Sequence, residues 1–503
     1  MGKTTLLLGG FFLILFLIII IRTLTFGDKP PGVIDCDPKD TDFIKAEGDV
    51  LENFRKALQF ETIARKEHDF NREPMLQYVE FIKSSYPAIH GSPLVTMETV
   101  ANYSLLYRIE GSQSALTPYL LMAHLDVVPI SHETWEAPPF AADIINGFIY
   151  GRGTIDDKHM VMGILEALEY LLKKGHRPKR SFYIAFGHDE EVNGIEGAQS
   201  IGHILESRGL QFEYIVDEGL TVVDGVINGM EGPVALIGTS EKGYLTLELS
   251  VQTQGGHSSM PGKESSIGIL ANAIARLENS PQPSMFGTGP ERGLFEQLAP
   301  HMKLGFKTLM SNLWLFSPLV TMVLSWKPSS NAMVRTTTAV TEFHAGIKSN
   351  VLAPKATATV NHRVHPGQTL QQVIEHDRYV INDPRVEIRT VKSVEAHPVS
   401  PYDTKAKGYQ TIKKSIRQVF HKAVVAPGLM IGNTDTKHYL KLSKNIYRFS
   451  PTYMYPEDLP RFHGVNERIS VKNYEQAINY YYHLMKNSDD MGVPEQHQHS
   501  SEL

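Results

Sequence analysis

The chain of 503 residues has a single cysteine, Cys36, so no disulfide can form within it, and stability must come from packing and bound metal. It also lacks any basic block or stripe. Its 49 Lys and Arg are outweighed by 55 Asp and Glu, and the net charge of -6 leaves nothing to displace counterions from a phosphate backbone, which argues against nucleic acid as a partner. Internal repeats are absent, and so is the Ser or Thr at position 6 that would make Met1-Gly2 a myristoylation start. Long apolar runs are scarce. The one that stands out lies between Lys3 and Arg22, is most apolar from Leu6 to Ile21, and is followed by no clear small-x-small cleavage site. Residues 1–27 therefore read as a signal peptide or a signal anchor: a secreted protein in the first case, a single-pass membrane protein with the rest of the chain luminal in the second. Asn102-Tyr103-Ser104 is a glycosylation sequon and agrees with either.

At 42% hydrophobic residues the chain can bury more than one core. A linker spans about 28–48. From Asp49 onward short strands and helices alternate, the signature of an α/β sheet. Pro118–Ala123, Ser181–Gly187 and Glu213–Val216 read as buried strands, and Met160–Lys174 as an amphipathic helix. Near Lys242 the register changes. Strands at Tyr244–Thr253, 339–346, 356–364 and Arg385–Val394, with helices at Ser265–Glu278 and Leu370–Ile381, give a βαββαβ order. The chain thus divides into one domain at 49–241 and 400–487, an inserted domain at 242–399, and a polar tail at 488–503. An apolar stretch at about 285–338, with Phe286, Leu313, Trp314, Leu315, Phe316 and Trp326, interrupts the inserted domain. Its surface would suit a fatty chain, each buried CH₂ of which gains ~0.8 kcal/mol. Ordinary packing or a dimer contact explains it as well.

Four acidic segments sit at strand ends or helix starts: His124-Leu-Asp126, Asp156-Asp157, Asp189-Glu-Glu191 and Asp217-Glu218. In open α/β sheets, ligands bind outside the carboxyl ends of the strands, so these segments are expected to meet in one crevice. Taken singly each is bland: a satisfied histidine, or an Asp capping a helix, which for Asp157 is a serious alternative. Together they place a histidine among carboxylates that would repel one another without a cation, and imidazole with carboxylate suits zinc or a related divalent metal.

His124-Leu-Asp-Val-Val-Pro129, Gly151-Arg-Gly-Thr-Ile-Asp-Asp-Lys158, Asp189-Glu-Glu191, Gly255-Gly-His-Ser-Ser259 and His463-Gly-Val-Asn466 resemble, in the same order, the motifs of the di-zinc aminoacylase and carboxypeptidase family. The resemblance covers roughly 50–485 and is strongest to the branch acting on N-fatty-acyl amino acids, with the membrane-anchored carboxypeptidase S type as its competitor. It implies a mixed-sheet catalytic domain with an inserted lid and dimerisation domain, and two Zn²⁺ per subunit. Asp156 would bridge the metals, His124 and Asp217 completing one site and Glu191 and His463 the other. Glu190 would be the general base, Asp126 would orient His124, and a cis peptide would join Asp156 to Asp157. His257, Asn350, Arg363 and Gly432 would contact the substrate, His257 across a homodimer. The implied reaction cleaves, and reversibly forms, the amide of an N-acyl amino acid. The implied partners are that small molecule and, through the N-terminal segment, a membrane or lipoprotein surface.

Overall fold

The computed structural model describes residues 2–27, 43–131 and 134–491. Most of the expected linker, Cys36 and nearly all of the polar tail lie outside these residues. Helix α1, Gly2–Thr25, is the N-terminal apolar run, and its segment Leu6–Thr25 is long and apolar enough to cross a membrane. The chain divides into two compact units. One takes residues up to Gly238, except the N-terminal segment, with Ser400–Ala426 and everything from Thr434 on. The other takes Thr239–Val399, Pro427–Asn433 and α1. Its main segment runs from Thr239 to Val399, where 242 to 399 was expected, and it also takes α1 and Pro427–Asn433, which the sequence reading did not foresee.

The first unit is built on an eight-stranded sheet of β1 Val95–Val100, β2 Ser104–Ile109, β3 Tyr119–His124, β4 Phe182–Gly187, β5 Ile215–Val223, β6 Val234–Glu241, β7 Val424–Met430 and β8 Ile446–Met454, in the order β7-β6-β8-β5-β3-β4-β2-β1. The central four, β8, β5, β3 and β4, are parallel, whereas β1, β2 and β6 pair antiparallel, so the sheet is mixed. Strand β3 shows why its sequence is apolar without interruption. Tyr119, Leu121 and Ala123 point into one core, with helix α2, Lys158–Lys173, and helix Val471–Asp489, while Leu120 and Met122 point into a second core under helix Ala198–Ser207. A strand covered on both faces has no polar side to alternate with.

The second unit holds an antiparallel sheet ordered Thr337–Ala345, Lys355–Val364, Gly243–Gln252, Glu387–Val394. Lys355–Val364 alternates strictly between buried and less buried positions, because helices Ser266–Asn279 and Leu370–Ile381 share a core with one face only. This is the expected βαββαβ order. The apolar stretch between its first helix and second strand folds into helices Glu291–Leu298, α3 Leu304–Ser311, α4 Leu313–Leu324 and Pro328–Val334. Leu313 is buried at 2% exposure, yet Trp314 and Trp326 are 49% and 71% exposed, so neither tryptophan is enclosed as the wall of an acyl channel would be.

Candidate metal centre

The site lies in the first unit, where the parallel strands end. His124 is the last residue of β3, and Glu190 and Glu191 form a short 3₁₀ turn after β4. Asp156 and Asp157 precede α2 and are joined by a cis peptide. Asp157 occupies the N-cap position of α2, but its carboxylate makes no capping hydrogen bond, and both its oxygens are buried without a hydrogen-bond partner.

Asp156 stands between two histidines. His124 Nε2 is 3.0 Å from Asp156 Oδ1, and His463 Nε2 is 2.9 Å from Asp156 Oδ2. Glu218 Oε1 lies 3.5 Å from His124 Nε2, and Glu191 Oε2 lies 3.3 Å from His463 Nε2. Two groups of three ligand atoms result, His124 with Asp156 and Glu218, and Asp156 with Glu191 and His463, the atoms of each within 4.8 Å of one another. Asp156 belongs to both. A carboxylate that offers one oxygen to each group could serve a pair of cations ~3.5–4 Å apart.

The group around His124 contains Glu218, whereas Asp217 was the residue expected there. Strand β5 runs on to Val223 instead of ending at Val216, and its register against β8 slips, Asp217 pairing with Arg448 but Leu220 with Phe449. Glu218 and Gly219 are the extra residues, left out of the pairing with β8. Gly219 permits it: its φ is 148°, and a Cβ there would sit 2.6 Å from the Cβ of Arg448. Asp217, 2% exposed, accepts from the backbone N–H of Glu218 at 2.9 Å and lies outside both ligand groups.

The surrounding contacts fix these groups. Asp126 reaches His124 Nδ1 at 3.3 Å, while its two oxygens accept the backbone N–H groups of Glu190 and Glu191, each at 3.1 Å. One carboxylate therefore orients a histidine and positions the turn that carries two glutamates. Glu467, fully buried, accepts from the N–H groups of Gly153, Ile155 and Asp156 and from Arg152 Nη1 at 2.8 Å, and so holds the loop that presents Asp156. Neither Glu467 nor Arg152 was anticipated from the sequence.

In this cluster carboxylates outnumber imidazoles. Burial, then Glu218, pushes Glu190 well above the usual carboxylate range; burial and Asp156 do the same to Glu218, and carry Glu191 to about 7. Burial works against both the charged His124 and the charged Asp156, but the neighbouring carboxylates raise His124, and hydrogen bonds from the two histidines lower Asp156. His463 rises to about 10 through its bonds to Asp156 and Glu191. Glu191 Oε1 is buried and accepts no hydrogen bond. Nitrogen and oxygen donors in two open groups of three, with orphaned carboxylate oxygens, fit divalent metal such as zinc.

The residues expected to touch substrate lie in the second unit, in two places. His257 and Asn350 meet at a small two-stranded sheet, where Gly256–His257 pairs with Val351–Leu352 and Ser258 N–H donates to Asn350 O at 3.1 Å; both residues are exposed. Arg363 donates to Asn433 Oδ1 at 2.7 Å, next to Gly432, and Asn433 Nδ2 in turn donates to Lys242 O at 2.9 Å. Lys242, held by the carbonyls of Ala332 and Arg335, is lowered to about 7 by burial and then by Arg363. Lys242 and Asn433 were not singled out in the sequence, though Glu241-Lys-Gly243 marks the break between β6 and the strand that follows.

The profile of peptidase family M20/M25/M40 matches residues 120–487. The N-fatty-acyl-amino acid synthase/hydrolase of Danio rerio is 48% identical over 486 residues, covering 96% of this chain and 94% of that protein. A probable carboxypeptidase S-like protein of Dictyostelium discoideum is 43% identical over 485 residues, covering 94% and 92%. Among solved structures, an M20 family metallo-carboxypeptidase of Sulfolobus solfataricus superposes with a TM-score of 0.64 at 18% identity, over 88% of this chain and all of that one. A dinuclear metal-binding M20 peptidase of Bacillus subtilis gives 0.55 at 13% identity, over 88% and 99%.

Proposed function

The chain belongs to peptidase family M20/M25/M40, and on that premise we propose that it is a di-zinc amidohydrolase that cleaves, and reversibly forms, the amide bond of N-fatty-acyl amino acids. The observation that carries the proposal is the pair of ligand groups sharing Asp156, with Glu190 beside them. His124, Asp156 and Glu218 would hold one metal, and Asp156, Glu191 and His463 the other. The metals, when bound, supply a Lewis acid for the amide carbonyl and lower the pKa of a bound water.

The protein's own groups then divide the work. Glu190 accepts the proton of the attacking water and returns it to the amine as the C–N bond breaks, which yields a free carboxylate and an amino acid. Burial raises the Glu190 carboxylate, so it holds a proton more readily than a free carboxylate does, as carrying that proton to the amine requires. Asp126 fixes the ring of His124 and the backbone of Glu190 together, so ligand and base are aligned by one side chain. Arg363 is the group for the substrate's carboxylate, since its planar fork donates two parallel hydrogen bonds. The same catalyst lowers the barrier in both directions, so concentrations set the net flux. For location, α1 supports entry into the secretory pathway, and Asn102 is exposed at the turn between β1 and β2, where a glycan can be accepted.

The likeness to a carboxypeptidase S-like protein favours a second reading, removal of C-terminal residues from short peptides. Both substrates place an amide beside a free carboxylate, so the metal site does not separate them. The purified protein is expected to turn over an N-oleoyl amino acid with higher kcat/KM than a dipeptide ending in the same residue, and to lose both activities to a chelator. A dipeptide preferred over the oleoyl compound would replace the first reading with the second.

A further inference from the structure

Residues 297–341 contain no Asp or Glu, but do contain Lys303, Lys307, Lys327 and two of the three tryptophans of the chain. Their structure turns apolar side chains outward: Leu304 on α3, Trp314, Leu319, Met322 and Val323 on α4, and Trp326 just beyond it are all exposed. A surface so apolar, flanked by lysines and free of acids, does not suit water.

Helix α4 has 12 residues, too few to span a bilayer but enough to lie in its surface. Its neighbour identifies what covers it. The last turns of α1 are fastened to the α3–α4 junction within the same unit. Asn312 Nδ2 donates to Thr23 Oγ1 at 3.2 Å and to Ile19 O at 3.4 Å, and Arg22 Nε donates to Ser311 O at 3.3 Å. Thr23, Ser311 and Asn312 are all buried in this seam. Gly27 completes the seam: its φ of 86° and its closeness to Pro300, whose Cγ would lie 2.3 Å from an added Cβ, leave no room for a side chain. The membrane-crossing length of α1 thus ends where the exposed apolar face begins.

We propose that α1 is retained as a membrane anchor and that the face formed by α3, α4 and Trp326 lies on the same bilayer, Trp314 and Trp326 at headgroup level and the lysines toward anionic lipid. Tryptophan is the residue that favours this interface, since its ring is apolar and its N–H wet. Trp314 Nε1 already donates to Asn312 Oδ1 at 3.3 Å, which ties its ring to the seam. A bilayer would present long-chain amphiphiles beside the protein, though the docking itself does not depend on which reaction is catalysed.

The test uses the full chain carrying Trp135→Phe, in which Trp314 and Trp326 are the only tryptophans. It is bound to vesicles of phosphatidylcholine and phosphatidylserine with bromine placed at successive depths along the acyl chains. The expected result is quenching of most of the emission, strongest for bromines nearest the headgroup. Emission indifferent to bromine in protein held on the vesicles would overturn the proposal, as would emission that changes only with protein density, the mark of a second copy on this face. Mass analysis of the protein made in cells supplies an independent check: a chain that starts beyond Gly27 has no α1, and the proposal falls with it.

Discussion

The metal centre and the α3–α4 face depart from ordinary burial in opposite senses. The first unit buries carboxylates around Asp156 that raise one another's pKa, and the second leaves Trp314, Leu319, Met322 and Trp326 exposed. Soluble proteins rarely bury unpaired charge or show water a continuous apolar face. Each departure names what is missing by its chemistry: buried like charges ask for cations, and exposed hydrocarbon asks for lipid. The two regions also differ in rigidity of support. Asp156 is backed by Glu467 and Arg152, and Glu190 by Asp126, all buried, whereas the apolar face is fastened to α1 mainly at Ser311 and Asn312.

The largest effect expected is at Glu190. Glu190→Gln is expected to keep its metal and lose activity by ~10²–10⁴-fold or more, because the amide is similar in size but cannot accept the water's proton. Glu191→Gln and Glu218→Gln are expected to lose metal instead, with partial rescue by added zinc. Asp217→Asn is expected to retain metal, since Asp217 lies outside both ligand groups. Metal content measured beside the rate separates these four acidic residues. Full metal in Glu218→Gln together with loss in Asp217→Asn would restore Asp217 as the ligand and break the comparison at its charged end.

This result also marks how far the sequence was legible. His124, Asp156 and Glu191 stood out as imidazole or acidic groups at strand ends or helix starts, whereas His463 was named only through the resemblance to the family, which also supplied the ligand roles. Glu218 was not singled out as a ligand: the sequence shows the adjacent pair Asp217-Glu218, and only the irregular stretch of β5 against β8 shows which of the two side chains reaches His124. The glycine was the available sign. Glu467 was hidden for a different reason: in the sequence it is one acid between Asn466 and Arg468, and only the fold brings it to the amides of Gly153, Ile155 and Asp156. The seam between α1 and α3–α4 joins residues 289 apart, and no local pattern announces it. The βαββαβ order was visible because two-residue and 3.6-residue periods need only neighbours.

An intermediate effect is expected at Arg363. Arg363→Lys keeps the charge but loses the fork, and the loss of one charge-assisted hydrogen bond, about 1.5 kcal/mol, corresponds to roughly a tenfold rise in KM. Steady-state kinetics with the N-oleoyl amino acid should show this with kcat little changed and metal content untouched. A fall in kcat of the same size, with KM constant, would move Arg363 from binding to the chemical step.

The smallest effect is expected at Trp326, and it sharpens the comparison most. A face that serves folding should cost stability when cut back, and one that serves a bilayer should not. Trp326 is 71% exposed, so Trp326→Ser is expected to change unfolding free energy in detergent-free buffer by no more than about 0.5 kcal/mol. Leu313→Ala, next to Trp314 in the chain but 2% exposed, is the control, with an expected loss of about 2–5 kcal/mol. Urea unfolding of both variants decides it. If Trp326→Ser cost as much as Leu313→Ala, the tryptophan would belong to a core shared with other residues, and the apolar face would be a feature of folding instead of a surface held ready for lipid.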